Sequence, residues 1–456
     1  MELEVSRTQI KIPEVEQPQR SILSMRWGRL YTIIPLALFA ITFFNNVRGL
    51  VYFANTVGIP SGLFTQTDYV AIDIATTIVN SGRGDRLYDL DLQLQQQQKL
   101  YAEHYLKLTP EENKELKYPY PYTPFIAALW APVVKTLNLT PLTGMALWDL
   151  LNIFVSVGGL AYLLISLPLK KEMKWLLLLA AITSFPFMVN LEQGQSSGLI
   201  LGGLALSVAL MRKEHDLPAG LALGLVLLKI QWLPVVVVVL LIKRRVRVLG
   251  GTILSGVVLM SITTLTVGTG WIWDYLGIMK RAQTWDRSLA LDPWYSHSLS
   301  GGLTALIGKG SDALVSYINM GALVLVVILL AFVWQGAWQP GTRRWDGLMA
   351  LTLLGAIFTN LQANTHDLAL LSLPAILGLS FLADNDLRIY AEKQKWLTRS
   401  TVWYALIFAA YLVPAFLLQQ VFDWPIRMTS MIMLLMLIYL SFNLINYRKS
   451  PSPANM

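Results

Sequence analysis

The sequence predicts an all-α polytopic membrane protein, a bundle of about twelve transmembrane helices with amphipathic helices in one long loop near its start. Three observations predict it. Of 456 residues, 54% are hydrophobic and only 14% charged, a balance far from that of soluble globular chains. Apolar runs such as 322 to 333 with their flanks, and 430 to 444, reach the ~20 residues a helix needs to cross roughly 30 Å of hydrocarbon. The 36 Lys and Arg residues gather in short segments between such runs, which is a signal of membrane topology.

Taken in order, segment 1–30 carries Arg20, Arg26 and Arg29 ahead of the first apolar run, and no small-residue cleavage site follows. It is expected to be cytosolic, with span 31 to 53 as a retained signal anchor. Loop 54–142 comes next. The remaining spans are expected at 143 to 168, 174 to 190, 196 to 211, a short pair at 217 to 228 and 232 to 242, then 248 to 269, 313 to 336, 346 to 362, 367 to 383, 401 to 420 and 427 to 447. Residues 31–385 form the expected catalytic module, and 386–456 a terminal pair of spans with a cytosolic tail.

Segment 122 to 137 is apolar but short, and Pro124, Pro132 and Lys135 interrupt it. If it does not cross, the groups Lys170 to Lys174, Arg212 to Lys213, Lys243 to Arg247, Arg343 to Arg344, Arg388 to Arg399 and Tyr447 to Lys449 all fall in the cytosol. The positive-inside rule selects that arrangement. Asp68, Glu192 to Gln195, Lys229, segment 270 to 312 and Asn364 to Asp367 then face outward together.

Loop 54–142 is too long for a mere connection. Helical periodicity through Leu87, Leu90 and Leu94, and again through Tyr101, Tyr105 and Leu108, predicts two amphipathic helices on the membrane surface. Gln95 to Gln98 reads as a solvated helix side. Asp68, in Phe64-Thr-Gln-Thr-Asp-Tyr69 just outside a span, is placed like a catalytic base, whereas Asp73 would point to another face of a helix. The run from Ala219 to Pro234 holds a single lysine, Lys229, between basic segments. Two short helices with Lys229 at their turn would put both basic segments on one side. A buried ammonium there needs an anionic partner or water, with snorkelling at a helix end as the simpler account.

The chain has no cysteine and four histidines. Thiolate chemistry, disulfides and cysteine metal sites are excluded, and no metal site is expected. The net charge of +8 lies in membrane-flanking loops, so no nucleic-acid partner is expected. No Walker-type nucleotide motif is present, so no nucleotide cofactor is expected.

Asp68-Tyr69, the Gly84 to Tyr88 turn, the Tyr-Pro-Tyr-Pro-Tyr-Thr-Pro run at 118–124, Gly194-Gln195, Ala219-Gly220 through Lys229, Ser296-His297-Ser298-Leu299 and His366 follow in an order that resembles glycosyltransferase family 87, within the polyprenyl-phosphate-sugar-dependent GT-C superfamily. The resemblance covers roughly residues 25–385. It departs from the commonest pattern where the proline pair is spread out and where His297 stands in place of Asn-Gln-Ser.

The resemblance implies a GT-C-type bundle. It implies inverting transfer of a sugar, often mannose, from a polyprenyl-phosphate carrier to a glycolipid or glycan on the outer face of the cytoplasmic membrane. Asp68 matches the family's loop-one aspartate, which would take the acceptor's proton. Lys229, Arg281, Arg287 and His366 are the outward groups able to meet the lipid phosphate. Gln195, Tyr120, Tyr122 and His297 complete the expected substrate groove. Trp271, Trp273, Tyr275, Trp285, Trp294 and Tyr295 are expected in the aromatic belt, with sugar stacking as the sharper reading.

A secondary transporter would show two related halves with polar residues near the midplane, and none is visible. A lipid-linked-sugar transporter or flippase is the alternative kept. A ligase-like transferase would carry its long loop later in the chain, and a structural scaffold would not explain Asp68, Lys229 and His366 together.

Overall fold

Glycine notches and buried polar side chains bring this chain's helices together, as is common where lipid surrounds a bundle and apolar surface alone gives little drive to associate. The structure is a computed structural model describing residues 68–106, 108–283, 296–308, 310–393 and 428–449, with short pieces at 402–403 and 406–407. The described residues all belong to one compact unit. Their regular elements are helical: α1 Tyr69–Asn80, α2 Leu90–Ala102, α3 Pro124–Leu137, α4 Pro141–Ser166, α5 Lys171–Ile182, α6 Phe185–Glu192, α7 Ser197–Arg212, α8 Asp216–Leu223, α9 Pro234–Ile242, α10 Val246–Val267, α11 Trp271–Gln283, α12 Leu299–Ile307, α13 Asp312–Val333, α14 Arg343–Phe358, α15 Ser372–Lys393 and α16 Met428–Lys449. Tight 3-10 segments include Gly224–Trp232, between α8 and α9, and Thr365–Leu371, before α15.

Among the described residues, five helices are long and apolar enough to cross a membrane: Pro141–Ser166, Val246–Val267, Asp312–Val333, Thr365–Leu382 and Thr429–Tyr447. The pair Lys171–Ile182 and Phe185–Glu192, bent by 42°, makes a sixth if counted as one broken span. Several of the twelve expected spans are shorter than that. Helices α7 and α14 have 16 residues each, or about 24 Å, and α8 and α9 have 8 and 9. Expected span 31 to 53 lies outside the described residues, as does nearly all of 401 to 420.

The long loop is more folded than its periodicity predicts. Helix α1 is buried over ten of its 12 residues and packs against α3. Helix α3 has 14 residues, about 21 Å, too short to cross hydrocarbon. Pro124 opens it, and Asn138 closes it in the left-handed region at φ 48°. The first predicted amphipathic helix appears as α2, capped by Asp89, whose side chain accepts from the N–H groups of Asp91 and Leu92. The second, through Tyr101 to Leu108, does not form. Helix α2 ends at Ala102, with His104 at φ 64° just beyond.

Nor is the glutamine run simply a solvated side. Gln93 and Gln97 are fully buried. Gln97 accepts from the backbone N–H of Lys117 at 2.8 Å and donates to Glu115 O at 2.8 Å. Gln93 accepts from Tyr120 N at 2.9 Å and donates to Leu87 O at 2.8 Å. Polar side chains on α2 thus supply the partners that segment 115–120, which has no helix of its own, would otherwise lack.

Asp73 is buried on α1, against Leu100, Tyr105 and Leu106. Burial, with a smaller push from the Glu103 charge, raises its carboxyl to about 7. Because the folded value lies above the unfolded one, the fold binds this proton more tightly. Stability should therefore fall as pH rises from about 4 to about 7, by at most about 1.4 kcal/mol per pH unit. Asp73→Asn should flatten that slope in thermal melts of the detergent-solubilised protein across the same range.

Two close helix crossings set the frame. Gly202 on α7 meets Gly159 and the Val155 backbone on α4, leaving no room for a Cβ. Gly220 on α8 and Gly224 just after it meet Gly251 and Ser255 on α10 in the same way. The second crossing runs in register with both chains rising together, and an Arg245–Asp216 ion pair joins the start of α8 to the residue before α10. Segment 216–245 is therefore a hairpin, and Lys229 lies near its turn.

Basic residues gather at the hairpin's open end. Lys243 donates to Trp334 O at 2.9 Å, and Arg212 reaches Asp346 at 2.7 Å as well as the carbonyls of Ser166 and Gly341. At the opposite end, Gly84 packs against the backbone of Thr266 and Val267 at the end of α10. That end holds Asp68, Lys229 and His366.

Candidate functional site

Asp68 is half-buried at the start of α1, and its side chain makes no helix cap. Gln195 instead spends its two amide hydrogens on Asp68 Oδ2 and on Tyr122 Oη, the latter at 2.7 Å. Two further bonds fix this arrangement. The backbone N–H of Tyr69 donates to Gln193 O at 2.9 Å, and the Trp148 indole donates to Gln195 O at 3.2 Å. Burial, then the charge of Asp68, holds the Tyr122 hydroxyl well above the usual phenol range, and Asp367 adds to the effect. Tyr122 therefore stays protonated and can donate a hydrogen bond.

The turn between α6 and α7 makes this possible. Gly194 sits at φ 64°, and a Cβ there would run into the side chain of Tyr69. The left-handed conformation costs a non-glycine residue about 1–2 kcal/mol before any clash. Gly194→Ala should therefore lower the melting temperature. It should also cut activity on the order of tenfold to a hundredfold, because displacing the Asp68–Gln195 contact by an ångström is enough. Melting curves and initial rates on one preparation check both.

The second half of the site gathers on the hairpin turn. Lys229 breaks the 3-10 segment with φ −136° and ψ 80°. Thr123 Oγ1 donates to Leu228 O at 2.9 Å, and Asn360 Nδ2 to Gln231 O at 3.4 Å, so backbone carbonyls around the break find partners. The ammonium of Lys229 is 5% exposed and uses its three hydrogens on Asp367 Oδ1 at 2.9 Å, Ser197 Oγ at 3.2 Å and His366 Nε2 at 3.3 Å. Its anionic partner within the protein is thus Asp367.

Asp367 is fixed from every side. Oδ1 also accepts from Ser197 at 2.7 Å, and Oδ2 accepts from the N–H of Asn364 at 3.1 Å. His366 Nδ1 donates to Gln193 Oε1 at 2.8 Å, while Nε2 faces Lys229 and lies 3.4 Å from Asp367 Oδ2. Gln193, Gly194 and Gln195 form one bridge, with Gln195 on Asp68 and Gln193 on His366. Five expected residues, Asp68, Tyr122, Gln195, Lys229 and His366, thereby come together.

The other expected residues are placed differently. Tyr120 is fully buried, and its hydroxyl donates to Thr123 O at 2.7 Å and accepts from Ala127 N at 3.2 Å. Its ring meets Tyr122 edge-on at 5.5 Å, so it supports Tyr122 from behind. His297 Nε2 bonds Thr365 Oγ1 at 3.0 Å, and its backbone N–H donates to Ala363 O at 2.7 Å, which ties it to the neighbours of His366. Arg281 lies half-buried in the last turn of α11. Arg287, Trp285, Trp294 and Tyr295 lie outside the described residues.

Gln193, Ser197 and Asp367 were missed as bonding partners. Asp367 had a signal, its adjacency to His366, but nothing local marks Ser197. Among the described residues no cluster of His, Asp and Glu could hold a metal ion.

No curated relative and no solved structure matches the chain. The sequence model of glycosyltransferase family 87 matches residues 120–363, more than half of the chain. Tyr122, Gln193, Gln195, Ser197, Lys229 and His297 lie inside that match, while Asp68, His366 and Asp367 lie outside it. The chain therefore belongs to glycosyltransferase family 87, whose members transfer a sugar from a donor to an acceptor.

Proposed function

We propose that the chain is an inverting transferase that moves a sugar, mannose in the first instance, from a polyprenyl-phosphate carrier to a glycolipid or glycan. The observation that carries this is the Asp68 carboxylate, held by Gln195 and linked through the Gln193–Gln195 turn to His366 and the buried Lys229–Asp367 pair. Asp68 accepts the proton of an acceptor hydroxyl as that oxygen attacks the anomeric carbon. The bond from that carbon to the phosphate oxygen breaks, and its electron pair leaves with the lipid phosphate.

Tyr122, still protonated, donates to a sugar or acceptor oxygen. His366 meets the departing phosphate by turning its Nδ1–H from Gln193 Oε1 onto a phosphate oxygen, with Arg281 and Arg287 adding charge from α11 and the segment after it. Lys229 serves mainly by fixing Asp367 and His366, because Asp367 already offsets its charge. Tyr120 and His297 position Tyr122 and the turn carrying His366. The described helices are read as part of a GT-C-type bundle of about twelve spans. The gathering of basic residues at the far end, taken with the positive-inside rule, supports the reading that the site faces the extracytoplasmic side.

Purified protein in liposomes, given radiolabelled polyprenyl-phosphate-mannose and a membrane glycolipid extract, should release labelled product with inversion at the anomeric carbon. Labelled product from a nucleotide sugar but not from the lipid-linked donor would overturn the donor assignment. Movement of the lipid-linked sugar across the bilayer without any transfer would favour a transporter.

A further inference from the structure

We propose that α11 lies in the plane of the membrane surface, with Ile272, Trp273 and Leu276 seated where lipid headgroups meet acyl chains. The helix has two distinct faces. Trp271, Tyr275 and Ile278, at i, i+4 and i+7, turn toward the protein. The Trp271 ring meets Phe125 at 5.6 Å, and Tyr275 meets Tyr88 at 6.1 Å. On the other side, Ile272 is 37% exposed, Trp273 76% and Leu276 50%.

Length and position select lipid as what covers that face. Helix α11 has 13 residues, about 20 Å, and cannot cross hydrocarbon. Helix α10 before it has 22 residues, about 33 Å, and turns Ile253, Val257 and Leu265 outward, so its surface is the lipid-facing surface of a span. Gly268, at φ 102°, ends α10. Three residues later α11 starts, and its first indole returns to donate to Thr264 Oγ1 at 3.1 Å. Helix α11 therefore begins at the depth where α10 leaves the hydrocarbon, continuous with that lipid-facing surface. An exposed Trp beside aliphatic residues, with Asp274 and Lys280 exposed on the same short helix, is the composition that layer favours.

The inward face of α11 leads to the site. Tyr275 packs on Tyr88, and the Tyr88 hydroxyl donates to Tyr122 O at 2.8 Å. Seating α11 thus holds Tyr122 and Asp68 at headgroup level, where a lipid-borne phosphate resides, a step that rests on the transferase reading.

The test needs no activity, so its failure is distinct from failure of that reading. Because the chain has no cysteine, Trp273→Cys and Leu276→Cys each give one labelling position in the full-length protein. Spin-labelled variants in phospholipid nanodiscs are compared for collision with oxygen and with a water-soluble nickel complex. Phe154→Cys, at a 78% exposed residue within span α4, gives the mid-membrane reference, and Glu115→Cys in the polar loop gives the water reference. Both α11 positions should favour oxygen over nickel severalfold more than Glu115→Cys, at a depth shallower than Phe154→Cys. Nickel access equal to the water reference would overturn the proposal in favour of a soluble or protein partner, and a depth equal to Phe154→Cys would overturn it in favour of a buried helix.

Discussion

Asp68→Asn should reduce sugar transfer by roughly a hundredfold or more while leaving the protein folded, because a positioned general base contributes 10²- to 10⁴-fold. The substitution keeps size and shape, and an asparagine oxygen can still accept from Gln195. What it removes is the capacity to take a proton from the attacking hydroxyl. Initial transfer rates, with melting curves on the same preparations, separate lost chemistry from lost fold. Gln195→Ala should cost less, since Asp68 keeps its basicity and loses only its orientation, and the loss should appear in kcat more than in KM. Equal rates for wild type and Asp68→Asn would remove Asp68 from the chemistry and leave its bond to Gln195 as a structural link.

Much of this site was legible because membrane chains announce their exceptions. A lysine in a long apolar run, a carboxylate beside a span and a histidine at a span mouth each break a pattern that burial in hydrocarbon enforces. Lys229, Asp68 and His366 stood out for that reason, and the hairpin around Lys229 followed from the basic segments on either side. Partners were not legible. Lys229 and Asp367 are 138 positions apart, and Ser197 is one of many serines, so their meeting depends on how α7 and the hairpin pack.

Alternation along segment 118–124 showed aromatic residues but not which faced the site. Tyr120 turns inward to hold α3, while Tyr122, two residues on, meets Gln195. Apolar periodicity also misjudged helix α2, whose buried face includes Gln93 and Gln97. Those amides are paired with backbone, and pairing removes the penalty that hydropathy assigns to burying them. Span counting faltered for a related reason: where Lys229 breaks the segment from 216 to 242, short helices and 3-10 turns replace one long helix, and side chains from elsewhere satisfy the freed carbonyls.

Breaking the Lys229–Asp367 pair should give the largest loss of stability of any single change at the site. Both groups are almost fully buried, with side-chain exposures of 6% and 3%. Removing one partner strands the other's charge, which typically costs about 3–5 kcal/mol. Lys229→Met and Asp367→Asn should each destabilise the detergent-solubilised protein by an amount of that order, measured by denaturation against wild type. The double variant Lys229→Met/Asp367→Asn carries no stranded charge and should recover most of that loss. Activity should not return with it, because the pair also fixes Ser197 and faces His366 Nε2, so the imidazole would lose the ammonium that orients it. Recovery of stability without transfer would assign the pair to placing His366 for the departing phosphate. Recovery of both would make it a pin that joins the hairpin to the 3-10 segment before α15 and nothing more, and the burden of meeting the phosphate would pass to Arg281 and Arg287.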